Sequence, residues 1–506
     1  MLKTFLELPL LLILTGISLL AMVPIALVAL VQGDHATARA FFYVALLGLT
    51  LILLIAISIS ARPRNQRGGL NNLVALFGAF TVLPLIQAVP FHQAVQTTSF
   101  INAYFEMVSS MTTTGASLFN ETGRLSGVLH LWRATVGWMG GLLIWVAAAA
   151  ILAPLNLGGF EVTATAEPGQ NDARLNQFEG ADAGQRMWRT ATTLAPIYVG
   201  LTLALWLMLL VGGALPIEAL THAMSTLATS GISAVGGVQY ASSGIGGEIV
   251  IALFLLFALS RLTFSSDTIT TARPKLYQDP EFRIGMALVI GLPILLFLRH
   301  WWASFDVDAS IDFIGALRAL WGGMFTVLSF LSTTGFESAD WATARDWSGL
   351  GTPGLILLGL SIMGGGVATT AGGVKLLRVY ALYLNGLREM ERLVHPSSVS
   401  GSGAHNRRIR RKGAYVAWIF FMLFAISLAL VSVILAALGT SFENSIVLSV
   451  AALTTTGPLV SAASGSAIEL GDLSNAAKMV FAAAMVVGRL EALAIITLFN
   501  PALWRD

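Results

Sequence analysis

Uncharged apolar runs recur along the whole chain, separated by short segments where charge, glycine and proline collect. About 20 apolar residues in helical form cross the hydrocarbon core of a bilayer, and the runs 10–31 and 415–438 meet that length outright. Two apolar segments come first, 5–31 and 40–60, followed by a basic cluster of Arg62, Arg64 and Arg67. One theme then repeats four times: a long apolar segment, a shorter amphipathic one, a Thr/Ser-Gly sequence and a second long apolar segment. The long segments pair as 70–89 with 128–152, 190–211 with 248–262, 284–298 with 351–384, and 414–438 with 476–499. The shorter ones, 94–110, 217–226, 311–330 and 442–452, read as helices that enter the membrane without crossing it. Pro154, Pro216, Pro274 and Pro396 fall between elements, as helix punctuation.

This pattern predicts an all-α integral membrane protein forming one membrane domain. It divides into an N-terminal helix pair (1–68) and four parallel membrane–pore–membrane repeats (69–160, 161–270, 271–390 and 391–506) around a pseudo-fourfold pore. The apolar run at the N-terminus is too long for the h-region of a signal peptide and reads as a retained helix.

Charge sets the orientation. One set of loops holds Arg62, Arg64, Arg67, Arg174, Arg186, Arg189, Arg273, Lys275, Arg283, Arg388, Arg392, Arg407, Arg408, Arg410, Arg411 and Lys412. The opposite set holds Glu106, Glu121, Asp306, Asp308, Asp312, Glu337, Asp340, Glu443, Glu469 and Asp472. Lys and Arg mark the cytoplasmic side. The chain is therefore expected to be multi-pass, with ten crossings, both termini cytoplasmic, and the Thr/Ser-Gly sequences facing a common axis from the outer side.

Composition narrows the classes. Hydrophobic residues make up 56% and charged ones 11%, against about a quarter charged in soluble domains. The absence of cysteine excludes disulfides, thiolate metal sites and cysteine nucleophiles. His130, His222 and His300 have no metal-ligand spacing. No His-Glu-x-x-His, Gly-x-Ser-x-Gly or Walker A sequence occurs, so an intramembrane enzyme is not expected, nor a cofactor, nor nucleic acid as a partner.

The four Thr/Ser-Gly sequences end in Thr113-Thr114-Gly115, Thr229-Ser230-Gly231, Thr333-Thr334-Gly335 and Thr455-Thr456-Gly457. A cation that sheds its water needs several oxygens at close range, and backbone carbonyls supply them without a net charge that would trap it. Aiming successive carbonyls at one axis requires non-helical backbone, which glycine permits and which membrane depth tolerates only where it lines a cavity or is buried in protein. Helix caps or close-packing spots would explain one such sequence; four at equivalent places point to a monovalent-cation filter.

Two further features lie in the second half. The long segment 351–384 is interrupted by a run containing Gly364, Gly365, Gly366, Thr369, Thr370, Gly372 and Gly373, followed by Lys375. Each interior Gly costs a helix about 1 kcal/mol relative to Ala, so this run reads as an unwound loop near mid-membrane, or a packing kink. Lys375 reads as a loop anchor or a snorkelling charge. Arg489 sits in the apolar stretch 479–498, away from either end. A charge there is functional by default; the alternative is a helix staple through Glu491 or a carbonyl. Glu106 and Glu337 lie near the filter entrance and are expected on solvated surface, with cation concentration as the alternative. The basic run 407–412 suits anionic lipid, a regulatory partner, or plain cytoplasmic positioning.

With the four filters, Asp279-Pro-Glu-Phe-Arg283, Ala371-Gly-Gly-Val-Lys375 and Gly488-Arg-Leu-Glu491, the chain resembles the Trk/Ktr/HKT superfamily of potassium transporters along essentially its whole length. It is most similar to the TrkH-type pore subunits, including their two extra N-terminal helices. The resemblance implies K⁺ uptake across the cell (inner) membrane through a carbonyl-lined filter, a gate formed by 364–373, and Arg489 just below the filter. It implies a homodimer, contact with membrane lipid, and cytosolic nucleotide-binding regulatory subunits of TrkA/KtrA type. In the wider family, serine at the first-repeat glycine goes with Na⁺ permeation and glycine in all four with K⁺ preference. Ser230 departs slightly from the threonine-rich pattern. The alternative is the channel-like subunit of a K⁺-pumping ATPase complex, which uses a similar fourfold plan; the Ala-Gly-Gly-Val-Lys and Gly-Arg-Leu-Glu sequences favour the first reading.

Overall fold

Every described element is helical, as the apolar patterning requires of a chain that must satisfy its backbone hydrogen bonds within hydrocarbon. The computed structural model describes residues 9–60, 68–119, 121–152, 183–260, 276–304, 313–349, 352–395, 411–463, 468–491 and 495. Most of the basic residues that set the expected orientation, including Arg62, Arg64, Arg67, Arg174, Arg273, Lys275 and 407–410, lie outside them, as do Pro154, Pro274, Pro396, Asp306, Asp308 and Asp312.

The N-terminal pair is α1 (Leu10–Val31) and α2 (His35–Ser60). The first unit follows as α3 (Gly68–Thr81), α4 (Leu83–Val95), the short α5 (Phe100–Met111) and α6 (Gly127–Ala147), the last extended by a π-turn over Ala148–Leu152. The second contains α7 (Ala183–Val211), short α8 (Pro216–Ala228) and α9 (Gly244–Leu255). In the third are α10 (Pro280–Ser304), α11 (Phe313–Leu331), α12 (Trp341–Ser348), α13 (Gly354–Met363) and α14 (Leu376–Val394). The fourth has α15 (Arg411–Ala437), short α16 (Phe442–Leu453), one turn of α17 (Leu459–Ala462) and α18 (Asn475–Leu490).

Several boundaries correct the sequence reading. The first long segment does not stop at residue 89: Pro90 is accommodated and α4 runs on to Val95. The short helix expected over 94–110 therefore begins at Phe100, where the Ser99 hydroxyl accepts from the Asn102 amide. Ser441 caps α16 in the same way, and Pro216 opens α8 at a position where a missing N–H costs nothing. The third short segment is not too short to span; Ile314–Leu331 has 18 residues. It is one of 8 described helices long and apolar enough to cross a membrane. Seven of the ten expected crossings are among those 8, and the other three contain α9, the pair α13 and α14, and α18.

Packing closes the four units into a ring. Each short helix lies against a helix that follows the Thr/Ser-Gly sequence of the preceding unit: α8 on α6, α11 on α9, α16 on α13, and α5 on α18. The fourth contact returns to the first unit, which places the C-terminal ends of α5, α8, α11 and α16 around one centre. Burial is highest towards the centre: 72% of the span containing α6 and 61% of that containing α11 are buried, against 17% of that containing α2 and 22% of those containing α10 and α15.

Candidate functional site

The four short helices end alike. Two residues before each glycine, the backbone turns left-handed at a threonine: Thr113 (φ 56°), Thr229 (51°), Thr333 (60°) and Thr455 (54°). Such a φ is a genuine outlier for a β-branched residue and costs about 1–3 kcal/mol, a strain that collects at functional sites. The next amide bonds back to the helix each time: Thr114 to the Ser109 carbonyl (2.8 Å), Ser230 to Ser225, Thr334 to Ser329 and Thr456 to Ala451 (each 2.9 Å). Hydroxyls brace the turn. Thr114 bonds Thr112 (2.8 Å), Thr334 bonds Ser332 (3.0 Å) and Thr456 bonds Thr454 (3.2 Å). In the second unit the bracing position is Ala228, and the Ser230 hydroxyl turns to Ser225 (3.0 Å).

The glycines meet across the ring. A Cβ on Gly115 would stand 1.8 Å from the Ser230 carbonyl oxygen, and one on Gly231 2.2 Å from that of Thr334. On Gly335 it would meet the Pro458 ring at 3.0 Å, and on Gly457 the Ala116 nitrogen at 2.1 Å. The contacts run first to second, second to third, third to fourth, and back to the first. Gly115, Gly231 and Gly335 have left-handed φ. Gly457 does not: there glycine serves close approach alone, its amide donating to the Thr114 carbonyl at 2.6 Å.

The Gly-rich run is an ordered loop beneath this ring. Its two ends pair, with the Val374 and Lys375 amides donating to the Ile362 and Met363 carbonyls (2.9 and 3.0 Å) and the Leu376 amide to that of Gly365 (3.0 Å). Its tip reaches three of the four left-handed threonines. The Gly372 amide donates to the Thr333 hydroxyl (2.7 Å), the Thr229 hydroxyl to that of Thr370 (3.2 Å), and a Cβ on Gly372 would lie 2.3 Å from the Thr455 hydroxyl. Thr370 also bonds the Leu227 carbonyl (3.0 Å), and Thr369 closes on Gly366 (2.7 Å). Close contacts at Gly364 and Gly373, each within 3 Å of the other's backbone if given a Cβ, leave no room for side chains. Lys375 is buried and donates to the Ala371 carbonyl, so it anchors the loop rather than snorkelling. From outside, Glu281 of the Asp-Pro-Glu-Phe-Arg sequence accepts the Val367 amide (2.9 Å), and the Gly366 amide reaches the Ala258 carbonyl (2.9 Å). A small cavity of about 20 Å³, lined by Trp145, Tyr198, Thr229, Phe254 and Thr370 among others, lies alongside.

Arg489 is not mid-helix. It is the penultimate residue of α18, which stops at Leu490 as Glu491 turns to φ 66°. Its guanidinium donates to the Thr370 carbonyl at the loop tip (2.7 Å), while Nε and Nη2 have no partner among the described residues. Glu491 serves another cation: it accepts two bonds from the fully buried Arg378 of α14 (3.2 and 2.7 Å), whose guanidinium lies 3.6 Å from the centre of the Phe420 ring on α15. Sequence reasoning missed Arg378. The signal available was a charge two residues into the apolar start of α14.

The expectation of a solvated Glu106 is overturned. Glu106 is fully buried, pairs with Arg133 (2.9 Å) and accepts from Ser117 and Leu118. Glu337 is half-buried; burial raises its carboxyl above the ordinary range, against the opposing pull of Arg345. Glu218 and Glu248, which sequence reasoning passed over, are buried and hold neighbouring segments: Glu218 accepts from Ser242, and Glu248 from Trp321, Ser338 and Ala339. No cluster of three or more metal-ligating residues occurs among the described residues.

Residues 42–505 match the model of the TrkH family, described as cation transport protein. The chain belongs to that family. The Trk system potassium uptake protein TrkH of Halomonas elongata is 31% identical over 96% of both chains. That of Escherichia coli K12 is 29% identical over 95% of both. The crystal structure of the potassium transporter TrkH from Vibrio parahaemolyticus superposes with a TM-score of 0.79 over 100% of both chains at 26% identity. As a TrkH-family member the chain is an all-α, multi-pass membrane protein of a transport family rather than an enzyme.

Proposed function

We propose that this chain takes up K⁺ across the cytoplasmic membrane through a filter formed by residues 113–115, 229–231, 333–335 and 455–457. The observation that carries the reading is the fourfold recurrence of a left-handed threonine two residues before each glycine, with the glycines in mutual contact around one centre. Backbone oxygens in such a ring can replace a monovalent cation's water shell. The relatives' names, Trk system potassium uptake protein, favour K⁺ over other cations. The chain-like run of contacts from Arg489 through Thr370 to Thr229 supports the loop 364–373 as the gate: it fills the space beneath the filter. The Asp-Pro-Glu-Phe-Arg carboxylate, Lys375 and Arg489 hold it closed. Orientation with the Lys- and Arg-rich loops and both termini in the cytoplasm follows from charge. A homodimer with cytosolic nucleotide-binding regulatory subunits of TrkA/KtrA type fits the family, and such a subunit bound at the cytoplasmic loops would act on α14, which leads directly out of the gate.

Membrane voltage is sufficient to drive such uptake, at about 2.3 kcal/mol per charge per 100 mV. The test is radioactive rubidium uptake by liposomes carrying the purified chain under a set potential. Uptake that follows the imposed voltage supports the reading; none above that of empty liposomes, with folded protein, refutes it.

Arg489→Ala is expected to raise flux on the order of tenfold, the scale of one lost hydrogen bond from a charged donor. Removing a buried cation with two unpaired nitrogens relieves a desolvation cost, so expression is expected to hold. Lower flux in well-folded variant protein would overturn the gate role of this residue.

A further inference from the structure

One position in each unit has a function that neither the filter nor the gate accounts for. Nine residues before the four filter glycines stand Glu106, His222, Thr326 and Leu448. All are buried, at 0–1% exposure. In three units this side chain grips the strand leaving the filter, two or three residues beyond the glycine. Glu106 Oε1 accepts from the Ser117 hydroxyl (3.0 Å) and the Leu118 amide (2.5 Å). His222 Nε2 lies 2.8 Å from the Ser233 hydroxyl. The Thr326 hydroxyl accepts from the Ser338 amide (3.3 Å). In the fourth unit both corresponding positions, Leu448 and Leu459, are buried leucines.

We propose that this residue positions the outgoing filter strand, and that Glu106, backed by Arg133, fixes how sharply the first unit discriminates among monovalent cations; the proposal rests on the filter reading above. Its physical basis is the graded strength of the four grips. Glu106 makes two charge-assisted bonds to one strand, which are about twice as strong as neutral ones. Its other oxygen is held 2.9 Å from the Arg133 Nε, and Arg133 in turn lies 3.5 Å from His130, so the carboxylate has little freedom to move. At this position the second unit has one side-chain contact, the third a single long bond, its strand being held instead by Glu248 of α9 through the Ser338 hydroxyl and the Ala339 amide (2.7 Å each), and the fourth no polar grip. Carbonyls between residues 115 and 117 are thus tied to the scaffold more tightly than their counterparts between 457 and 459. A filter selects through the spacing and number of its oxygens, so loosening a quadrant held by a buried charge pair should change ion preference rather than total assembly.

The test measures K⁺ over Na⁺ permeability ratios from reversal potentials in reconstituted membranes, with thermal unfolding in detergent measured alongside. Ser117→Ala and Ser233→Ala each remove one grip without leaving a buried charge. Each is expected to lower the ratio about threefold, the scale of one net hydrogen bond, with melting nearly unchanged. Glu106→Gln combined with Arg133→Gln removes the charge pair together and is expected to lower it further. Folded Ser117→Ala and Ser233→Ala proteins with the native ratio would overturn the proposal, whether or not the double variant folds. Native protein with no K⁺ preference would overturn the filter reading, and this inference with it.

Discussion

Gly115→Ser is expected to admit Na⁺, lowering the K⁺ over Na⁺ permeability ratio by about tenfold or more. Two costs fall on one residue. Its φ of 75° is left-handed, a strain of about 1–3 kcal/mol for a residue with a Cβ. The added carbon would also stand 1.8 Å from the Ser230 carbonyl oxygen, a backbone atom that cannot swing aside as a side chain would. Relief requires the second unit's carbonyl to move outward, and that carbonyl is one of the oxygens that would coordinate the ion. The wider family's association of serine at this position with Na⁺ permeation agrees in direction. Ring packing between the short helices and their neighbours is untouched, so the variant is expected to fold. Reversal potentials under mixed ions check it; a native ratio in folded Gly115→Ser would mean that this glycine does not set selectivity.

Shortening the loop within 364–373 is expected to have the largest effect on flux. The loop tip bonds Thr333, Thr229 and the Leu227 carbonyl directly under the ring. Removing it clears the path without altering the residues that form the ring. The deletion also strands Arg489, whose one described partner is Thr370, so Arg489→Ala is best combined with it. Open probability in single-pore recordings should rise severalfold or more, with the K⁺ preference kept. Unchanged flux from folded deletion protein would remove the gate from this account.

The parts of the fold that local chemistry determines were legible in the sequence. Apolar run length predicted α1 to the residue and α15 to within four, and Thr/Ser-Gly recurrence marked the four places where the backbone turns left-handed at a threonine. The Gly-rich interruption marked the loop between α13 and α14, because so much glycine cannot remain helical in that setting. Errors came where context overrides a local rule. The expected end at residue 89 is overrun because membrane helices tolerate proline, and α4 continues through Pro90 to Val95. Arg489 looked mid-helix because the apolar run continues past the break at Glu491, where the backbone turns without glycine or proline. The pairings of Glu106 with Arg133 and of Arg378 with Glu491 span 27 and 113 residues of chain, and no spacing rule links partners so far apart. Burial of Glu106 followed from neither its charge nor its place near the filter; it depends on a partner from α6 and on the strand that folds back over α5.

The central claim is a K⁺-preferring filter built from these four segments, and the most direct test is the reversal potential of the purified native protein in a planar bilayer with K⁺ on one side and Na⁺ on the other. The expected potential is displaced towards the K⁺ equilibrium value, at a K⁺ over Na⁺ permeability ratio well above one. A reversal potential near zero with equal concentrations on the two sides, meaning Na⁺ passes as readily as K⁺, would contradict it.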